Sequence, residues 1–233
     1  MQEWFFDIQK QFIAAFLTDD RWKLYFQGLW TTIEIAVLAA MVGICVGTIV
    51  CLMNMSKTRN GKPTFLHYLA IAYIDIIRGT PSVLQLLIMW FIILKSSNNG
   101  VFVAVLSFGI NSGAYVAEIM RGGIQAVNVG QIEAGDSLGM TRLMTLRYVI
   151  LPQAFRNALP ALCNEFITLL KETAIVGYVS LADLTRVANQ VSSRTYQPFM
   201  PLIGAAVIYF VIIKILTILF GHLERRLRRN VNR

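Results

Sequence analysis

The residues of this sequence best suited to chemistry are a few polar side chains inside long apolar stretches. Glu165 and Asn164 stand out, because they follow Pro160 within one such stretch. An unpaired charge at membrane depth costs at least ~2.5 kcal/mol, so a buried acid needs a partner. For Glu165 the partner is either a cationic group on a solute that crosses the membrane or a basic side chain such as Arg156 or Lys171.

Three further polar side chains lie in two other apolar stretches: Asn111, Ser112 and Gln85. They either add to a polar lining for a solute or hydrogen-bond between packed helices. Two GxxxG spacings, Gly43 with Gly47 and Gly109 with Gly113, indicate close helix packing.

Motifs of catalysis and metal binding are missing from the sequence. It contains no HExxH, no GxSxG, no pair of facing aspartates and no GxxxxGK[S/T] phosphate loop. The cysteines and histidines lack metal-ligand spacing: Cys45, Cys51, Cys163, His67 and His222. The sequence therefore predicts no catalytic residues, no metal site and no ATP hydrolysis by this chain alone.

The elements that carry these residues are membrane spans. Of the 233 residues 56% are hydrophobic and 15% charged, against roughly 25% charged in soluble domains. Apolar runs long enough to cross about 30 Å of hydrocarbon predict five helices, at 29–52, 65–94, 101–117, 147–170 and 199–219. The fold class is thus an all-α membrane protein. An amphipathic interfacial segment (1–27) precedes the membrane domain (28–223), and a basic tail (224–233) follows it.

The distribution of basic residues predicts the orientation of the chain. An N-terminus outside and a C-terminus inside place the larger set of cations in the cytoplasm: Lys57, Arg59, Lys62, Arg121, Arg142, Arg147 and the tail arginines. The net charge of +8 then fits anionic lipid at the inner surface, and no nucleic-acid partner is expected. Residues 121–147 become a cytoplasmic loop.

That loop carries a recognisable spacing. Glu133, Ala134 and Gly135 are followed after three residues by Gly139, and after nine more by Val149, Ile150, Leu151 and Pro152. The pattern resembles the EAA loop of the membrane subunits of ATP-binding-cassette (ABC) importers, with Gly135 in place of an alanine and Val149 in place of an isoleucine. The resemblance implies that a short helix couples this chain to an ATPase, through Glu133, Ala134, Gly135, Asp136, Gly139, Leu151 and Pro152.

Three other segments resemble the polar-amino-acid branch of these permeases. They are RGTP at 78–81, GAYVAEIMRGGI at 113–124 and KET at 171–173. The resemblance covers the chain from about residue 28 onwards and implies a type I ABC importer permease fold in the bacterial cytoplasmic membrane. It also implies several partners: two ATPase subunits that bind ATP and magnesium, a second permease subunit, identical or homologous, and an extracytoplasmic amino-acid-binding protein. The chain itself is expected to hold no cofactor.

In this setting the polar residues acquire expected roles. Glu165 is the candidate partner for the ammonium group of an amino acid, with Asn164, Asn111, Ser112 and Gln85 as a polar lining. Arg78, Glu118 and Arg121 are candidates for a gate at the inner membrane edge, with interfacial anchoring as the alternative.

Three alternative functions stay open at this stage. They are a permease for another solute, such as methionine, an ion-coupled secondary carrier and an intramembrane enzyme. A secondary carrier would favour an inverted repeat, which five spans with one EAA-like loop do not show.

Overall fold

The structure is a computed structural model that describes the backbone of residues 2–56, 58 and 61–229, and the side chains of 7–56, 58 and 61–227. Among the residues that the structure describes, helices account for 85% and no strand forms. The all-α prediction is therefore confirmed. Some of the predicted inner cations, namely Lys57, Arg59 and the arginines beyond 227, lie outside these described side chains.

The structure contains ten α-helices within its described residues. They are α1 (Gln2–Phe12), α2 (Trp22–Asn54), α3 (Phe65–Arg78), α4 (Ser82–Ile88), α5 (Gly100–Gln125), α6 (Gly130–Ser137), α7 (Arg142–Thr145), α8 (Leu151–Glu172), α9 (Leu184–Thr195) and α10 (Phe199–Arg229). Short π-helical turns follow α1, α4 and α7, at Ile13–Leu17, Met89–Ile93 and Leu146–Ile150. Two 3-10 turns, Thr18–Asp20 and Thr173–Val179, precede α2 and follow α8.

Three of these helices are long and apolar enough to cross a membrane, namely α2, α5 and α10. A fourth candidate is the pair of helical segments Phe65–Arg78 and Ser82–Ile93, which is bent by 103° at its break. The bend falls on Gly79, Thr80 and Pro81, because a proline lacks the N–H group and the space that a continuing helix requires. The remaining predicted span is α8, whose 22 residues extend about 33 Å but are more polar than those of the other three. Pro160 lies inside α8 without ending it.

The chain forms two compact units. The first comprises residues 1–39, 82–108 and 168–216. Its core joins α2 to α9 and α10 through Tyr25, Leu184, Val187 and Ala205. Gly28 makes this possible, because a Cβ there would lie 2.9 Å from the carbonyl oxygen of Asp183.

Asp183 caps α9 within this first unit. Its carboxylate accepts the backbone N–H groups of Thr185 at 2.9 Å and of Arg186 at 3.1 Å. Burial raises the pKa of Asp183 above its usual range, and these hydrogen bonds oppose the rise. Asp183 therefore satisfies free N–H groups at the start of α9 and fixes the N-terminus of this helix at Leu184.

The second unit comprises residues 40–81, 109–167 and 217–233. Small residues dominate its core, where Cys51, Ala70, Ala114 and Ala117 pack with Ile74. This unit contains the EAA-like segment and most of the predicted site residues.

Candidate functional site

Glycines bring α2 and α5 into close contact in the second unit. A Cβ on Gly47 would lie 2.6 Å from Cγ1 of Val116, and one on Gly113 would lie 2.7 Å from Cγ1 of Val46. Gly43 in turn faces Ser112, at 3.1 Å from its Cβ and Oγ. The two GxxxG spacings thus serve packing, and this packing fixes the position of Ser112.

Ser112 and Glu165 form a polar contact between α5 and α8. The hydroxyl of Ser112 donates to Oε1 of Glu165 over 2.8 Å. Ser112 is 1% exposed and Glu165 is half-buried. Among the described residues, no basic side chain lies within salt-bridge distance of Glu165, neither Arg156 nor Lys171 included. One carboxylate oxygen of Glu165 thus accepts a hydrogen bond from a neutral donor. No basic side chain of the described residues forms an ion pair with this carboxylate.

The other polar residues of the predicted lining take different positions. Asn111 is buried beside Ser112 on α5, whereas Asn164 is exposed on α8. Gln85 is half-buried on α4 and belongs to the first unit. The structure therefore shows Ser112 in direct contact with Glu165.

The three predicted gate residues do come together. Arg121 donates twice to Glu118, from Nε at 2.8 Å and from Nη2 at 2.9 Å. Arg78 approaches the same carboxylate at 3.7 Å and stacks over the ring of Tyr115 at 5.2 Å. They line a pocket of about 310 Å³ together with Asp75 and other residues of α2 and α3. All three side chains are partly exposed, so the cluster can exchange partners at low cost.

The first residues of the EAA-like segment lie on α6, and Gly139 follows the end of this helix. Gly139 has φ +72°, and its N–H donates to the carbonyl of Asp136 over 3.0 Å. The N–H of Met140 donates to the carbonyl of Gly135, also over 3.0 Å. This pair of bonds is a Schellman motif, in which glycine adopts the left-handed conformation without a Cβ penalty. Glu133, Ala134 and Asp136 are exposed on α6.

Gly135 explains the departure from alanine at the third motif position. A Cβ on this residue would lie 2.7 Å from Oγ1 and 2.8 Å from Cγ2 of Thr145. Thr145 is buried on α7, so α6 and α7 pack through this glycine and threonine. The sequence motif contains no sign of Thr145 as the partner.

The EAA-like segment, residues 133–152, is named the coupling segment below, and it continues into α8 without a break. The π-helical turn Leu146–Ile150 follows α7 directly, and Leu151 donates back to the carbonyl of Leu146. The wider turn suits Pro152, which has no N–H to donate and whose ring would crowd the preceding turn. The helical path therefore runs without interruption from α7 through the π-helical turn into α8, which begins with Leu151 and Pro152.

Two glutamines and a glycine add further links that sequence reasoning missed. Gln153 on α8 donates to the side chain of Gln131 on α6 over 3.2 Å. Gly123 lets α5 approach α8, because a Cβ there would lie 2.7 Å from the carbonyl oxygen of Ala154. No local spacing marks Gln131 or Gln153, since their contact is made only in the folded chain.

The coupling segment also exposes apolar side chains. Leu138 is 80% and Leu143 is 73% exposed, and Val129 and Tyr148 are exposed nearby in the sequence. Large exposed apolar side chains on a polar loop are typical of a docking surface. Within the described residues, no cluster of three or more potential metal ligands occurs.

Comparison with known proteins gives consistent results. The arginine transport system permease protein ArtQ of Bacillus subtilis (strain 168) is 40% identical over 209 residues, which cover 88% of this chain and 92% of that protein. The L-cystine transport system permease protein TcyB of the same organism is 37% identical, with 90% and 89% covered. The glutamine transport system permease protein GlnP of Escherichia coli (strain K12) is 34% identical, with 88% and 93% covered.

Solved structures show the same fold. The crystal structure of an amino acid ABC transporter with histidines contains a chain that is 45% identical, with a TM-score of 0.80 over 88% of this chain and 94% of that one. An inward-facing structure of the MetNI methionine ABC transporter superimposes with a TM-score of 0.78 at 20% identity, covering 90% and 99%. The methionine transporter thus shares the fold alone.

Residues 43–229 match the family described as binding-protein-dependent transport system inner membrane component. This match covers most of the chain and includes the gate cluster, the Ser112–Glu165 contact and the EAA-like segment. The chain therefore belongs to this family of inner membrane permease subunits of ABC importers.

Proposed function

We propose that this permease subunit imports a polar amino acid by ATP-driven alternating access. The observation that carries the proposal is the carboxylate of Glu165, which is half-buried in α8 and held by Ser112 without a basic partner in the described residues. Such a carboxylate suits the ammonium group that every α-amino acid carries. The named relatives, which transport arginine, cystine and glutamine, support the same class of solute.

The proposed assembly contains two permease subunits and two ATPase subunits, with an extracytoplasmic protein that delivers the solute. The second permease subunit is a copy of this chain or a homologue of it. ATP and magnesium bind to the ATPase subunits. The family description supports a binding protein as a partner, and the exposed apolar side chains of the coupling segment support a soluble partner on the cytoplasmic side.

Coupling follows from the way in which α6 is attached. The helix exposes Glu133 and Asp136 to a partner and is fixed to the membrane helices through Gly135, Thr145 and Pro152. A displacement of α6 by the ATPase would therefore move α8, on which Glu165 lies. In the same cycle Arg78, Glu118 and Arg121 close the cytoplasmic side when the site is open to the outside.

Uptake into proteoliposomes tests this proposal. The subunit is assembled with its ATPase, binding protein and any sister permease, and radiolabelled arginine, glutamine, cystine and methionine are offered with and without ATP. We expect ATP-dependent uptake of a polar amino acid in the native assembly. Glu165→Gln should reduce this uptake at least about tenfold, because a hydrogen bond to a charged group is lost.

Matched variants make the result specific. Glu34→Gln removes another acid, exposed on α2, and should leave uptake near the native level. Glu133→Lys should abolish uptake while the complex still hydrolyses ATP. Uptake driven by an ion gradient without any ATPase subunit would contradict the proposal, as would native uptake by the Glu165→Gln variant.

A further inference from the structure

A polar pocket of about 560 Å³ lies in the first unit, between the turn Thr173–Val179 and the start of α9. Its volume is in the range of small-molecule sites. The orientation predicted from charge places this part of the chain on the extracytoplasmic side. It is separate in the chain from the coupling segment and from Glu165.

Hydrogen-bond donors dominate the polar part of the pocket lining, which is called the wall below. Five polar side chains line the pocket: Tyr178, Ser180, Thr185, Arg186 and Asn189. They carry one guanidinium, one amide and three hydroxyl groups, of which the Thr185 hydroxyl already donates to the hydroxyl of Tyr209 over 3.4 Å, and the lining contains no carboxylate. Asp183 lies next to the wall, but its two oxygens accept the N–H groups of Thr185 and Arg186 at the beginning of α9. The side chains of the wall are therefore cationic overall.

Arg186 is held in position by the turn that it faces. Its Nη1 donates to the carbonyl of Gly177 over 3.2 Å, and a Cβ on Gly177 would already lie 3.5 Å from Cβ and Cδ of Arg186. The side chain has no other hydrogen bond or ion pair within the described part of the chain. The rest of the guanidinium fork is thus available to a ligand.

Ser180 closes the same turn in a conformation that non-glycine residues rarely adopt. Its φ is +63°, and its N–H donates to the carbonyl of Gly177 over 3.2 Å. Such a backbone conformation is strained for a residue with a Cβ and persists only where its surroundings impose it. The turn therefore fixes the position of the Gly177 carbonyl group, and this carbonyl group orients Arg186.

We propose that this pocket binds the α-carboxylate of the transported amino acid on the extracytoplasmic side, with Arg186 as the residue that recognises it. A planar guanidinium matches a carboxylate in a two-pronged contact, and the neutral donors complete the shell. A single cation among neutral donors suits one negative charge better than a phosphate dianion. The inference rests on the proposed function and adds a second recognition element to it.

Binding to the purified importer, without its binding protein, tests the pocket directly. The probes are radiolabelled L-arginine and L-glutamine, displaced by the unlabelled amino acid or by its α-amide, which lacks the carboxylate. The native complex should bind the acid at least about tenfold more tightly than the amide. Arg186→Gln should remove this preference by weakening the acid alone, and Arg186→Lys should restore part of it.

The control is Arg194→Gln, which removes an exposed cation of α9 that does not line the pocket. It should keep the native preference. A preserved preference in Arg186→Gln would overturn the inference. So would an Arg186→Gln variant that weakens only the affinity of the complex for its binding protein, because the carboxylate would then belong to that protein.

The same preparations separate this inference from the proposed function. If native proteoliposomes import no amino acid with ATP, the proposed function fails and the pocket inference fails with it. If native import occurs and the preference for the acid survives Arg186→Gln, the pocket inference alone fails.

Discussion

The single residues that matter most in the second unit are a glycine with no room for a side chain and an acid with no basic partner among the described residues. Gly135 replaces an alanine of the EAA pattern because Thr145 occupies the space that a methyl group would need. Glu165 is distinguished from the other acids of the second unit by its hydroxyl partner, whereas Glu118 is paired with two arginines. The same residue type thus has a single neutral partner at the proposed binding site and two basic partners in the ion-pair cluster.

The contact between Gly135 and Thr145 gives a prediction at this scale. Gly135→Ala should destabilise the subunit by about 1–3 kcal/mol, because the new Cβ overlaps Oγ1 and Cγ2 of a buried, β-branched side chain. Adding Thr145→Ala removes both atoms and should recover most of the loss. Thermal unfolding of the purified complex, together with ATP-dependent uptake, measures the effect.

Thr145→Ala alone is the control, since it leaves a small cavity without a clash. A double variant no more stable than Gly135→Ala would show that the steric conflict lies elsewhere. The pair therefore tests whether the departure from the family pattern is compensated within the chain.

Among the helices, α2 and α5 cross with their backbones closer together than larger side chains at the crossing would allow. Glycines on both helices allow it, and in membranes such small residues supply the packing that hydrophobic burial cannot. The crossing holds Ser112 where it can donate to Glu165. The packing of α2 against α5 thus determines the geometry of the proposed binding site.

Gly47 tests this crossing. Gly47→Ala places a Cβ 2.6 Å from Val116 Cγ1 and 2.9 Å from the carbonyl oxygen of Gly113, and backbone cannot move aside cheaply. We expect a loss of about 1–3 kcal/mol in stability and reduced uptake. The readouts are thermal unfolding and uptake at saturating amino acid.

The matched control is Gly122→Ala on α5, where a Cβ would meet nothing within 4 Å. This change should be neutral or stabilising by up to about 1 kcal/mol, because alanine favours helix more than glycine does. Equal effects of the two substitutions would contradict the packing role of Gly47.

For the whole molecule, the sidedness of the membrane decides how the parts work together. In the proposed function the coupling segment faces an ATPase in the cytoplasm, and the Arg186 pocket faces the compartment of the binding protein. The distribution of basic residues predicts both orientations.

Labelling with a membrane-impermeant maleimide tests this orientation. Cys45, Cys51 and Cys163 are first replaced by alanine, and a single cysteine is introduced at exposed Ser137 or exposed Ser193. In right-side-out vesicles Ser193→Cys should react at once, whereas Ser137→Cys should react only after the membrane is made permeable. The reverse pattern would invert the topology and exclude an ATPase partner for α6.

The sequence alone determined the class of the molecule, because the evidence for it is local. Hydrophobic runs mark spans without reference to neighbours, a proline and a glycine mark the break after Arg78, and the EAA spacing lies within twenty residues. Polar residues inside apolar runs, which include Glu165 and Ser112, are equally visible in the local sequence.

Tertiary structure alone decided which of these residues meet and what holds them. Ser112 reaches Glu165 across 53 positions in the chain, and Gln153 reaches Gln131 across 22. The wall around Arg186 joins a left-handed turn to a capped helix, and neither of these features is a motif. Such contacts depend on the path of the backbone between distant segments, and a single sequence does not encode that path as a spacing.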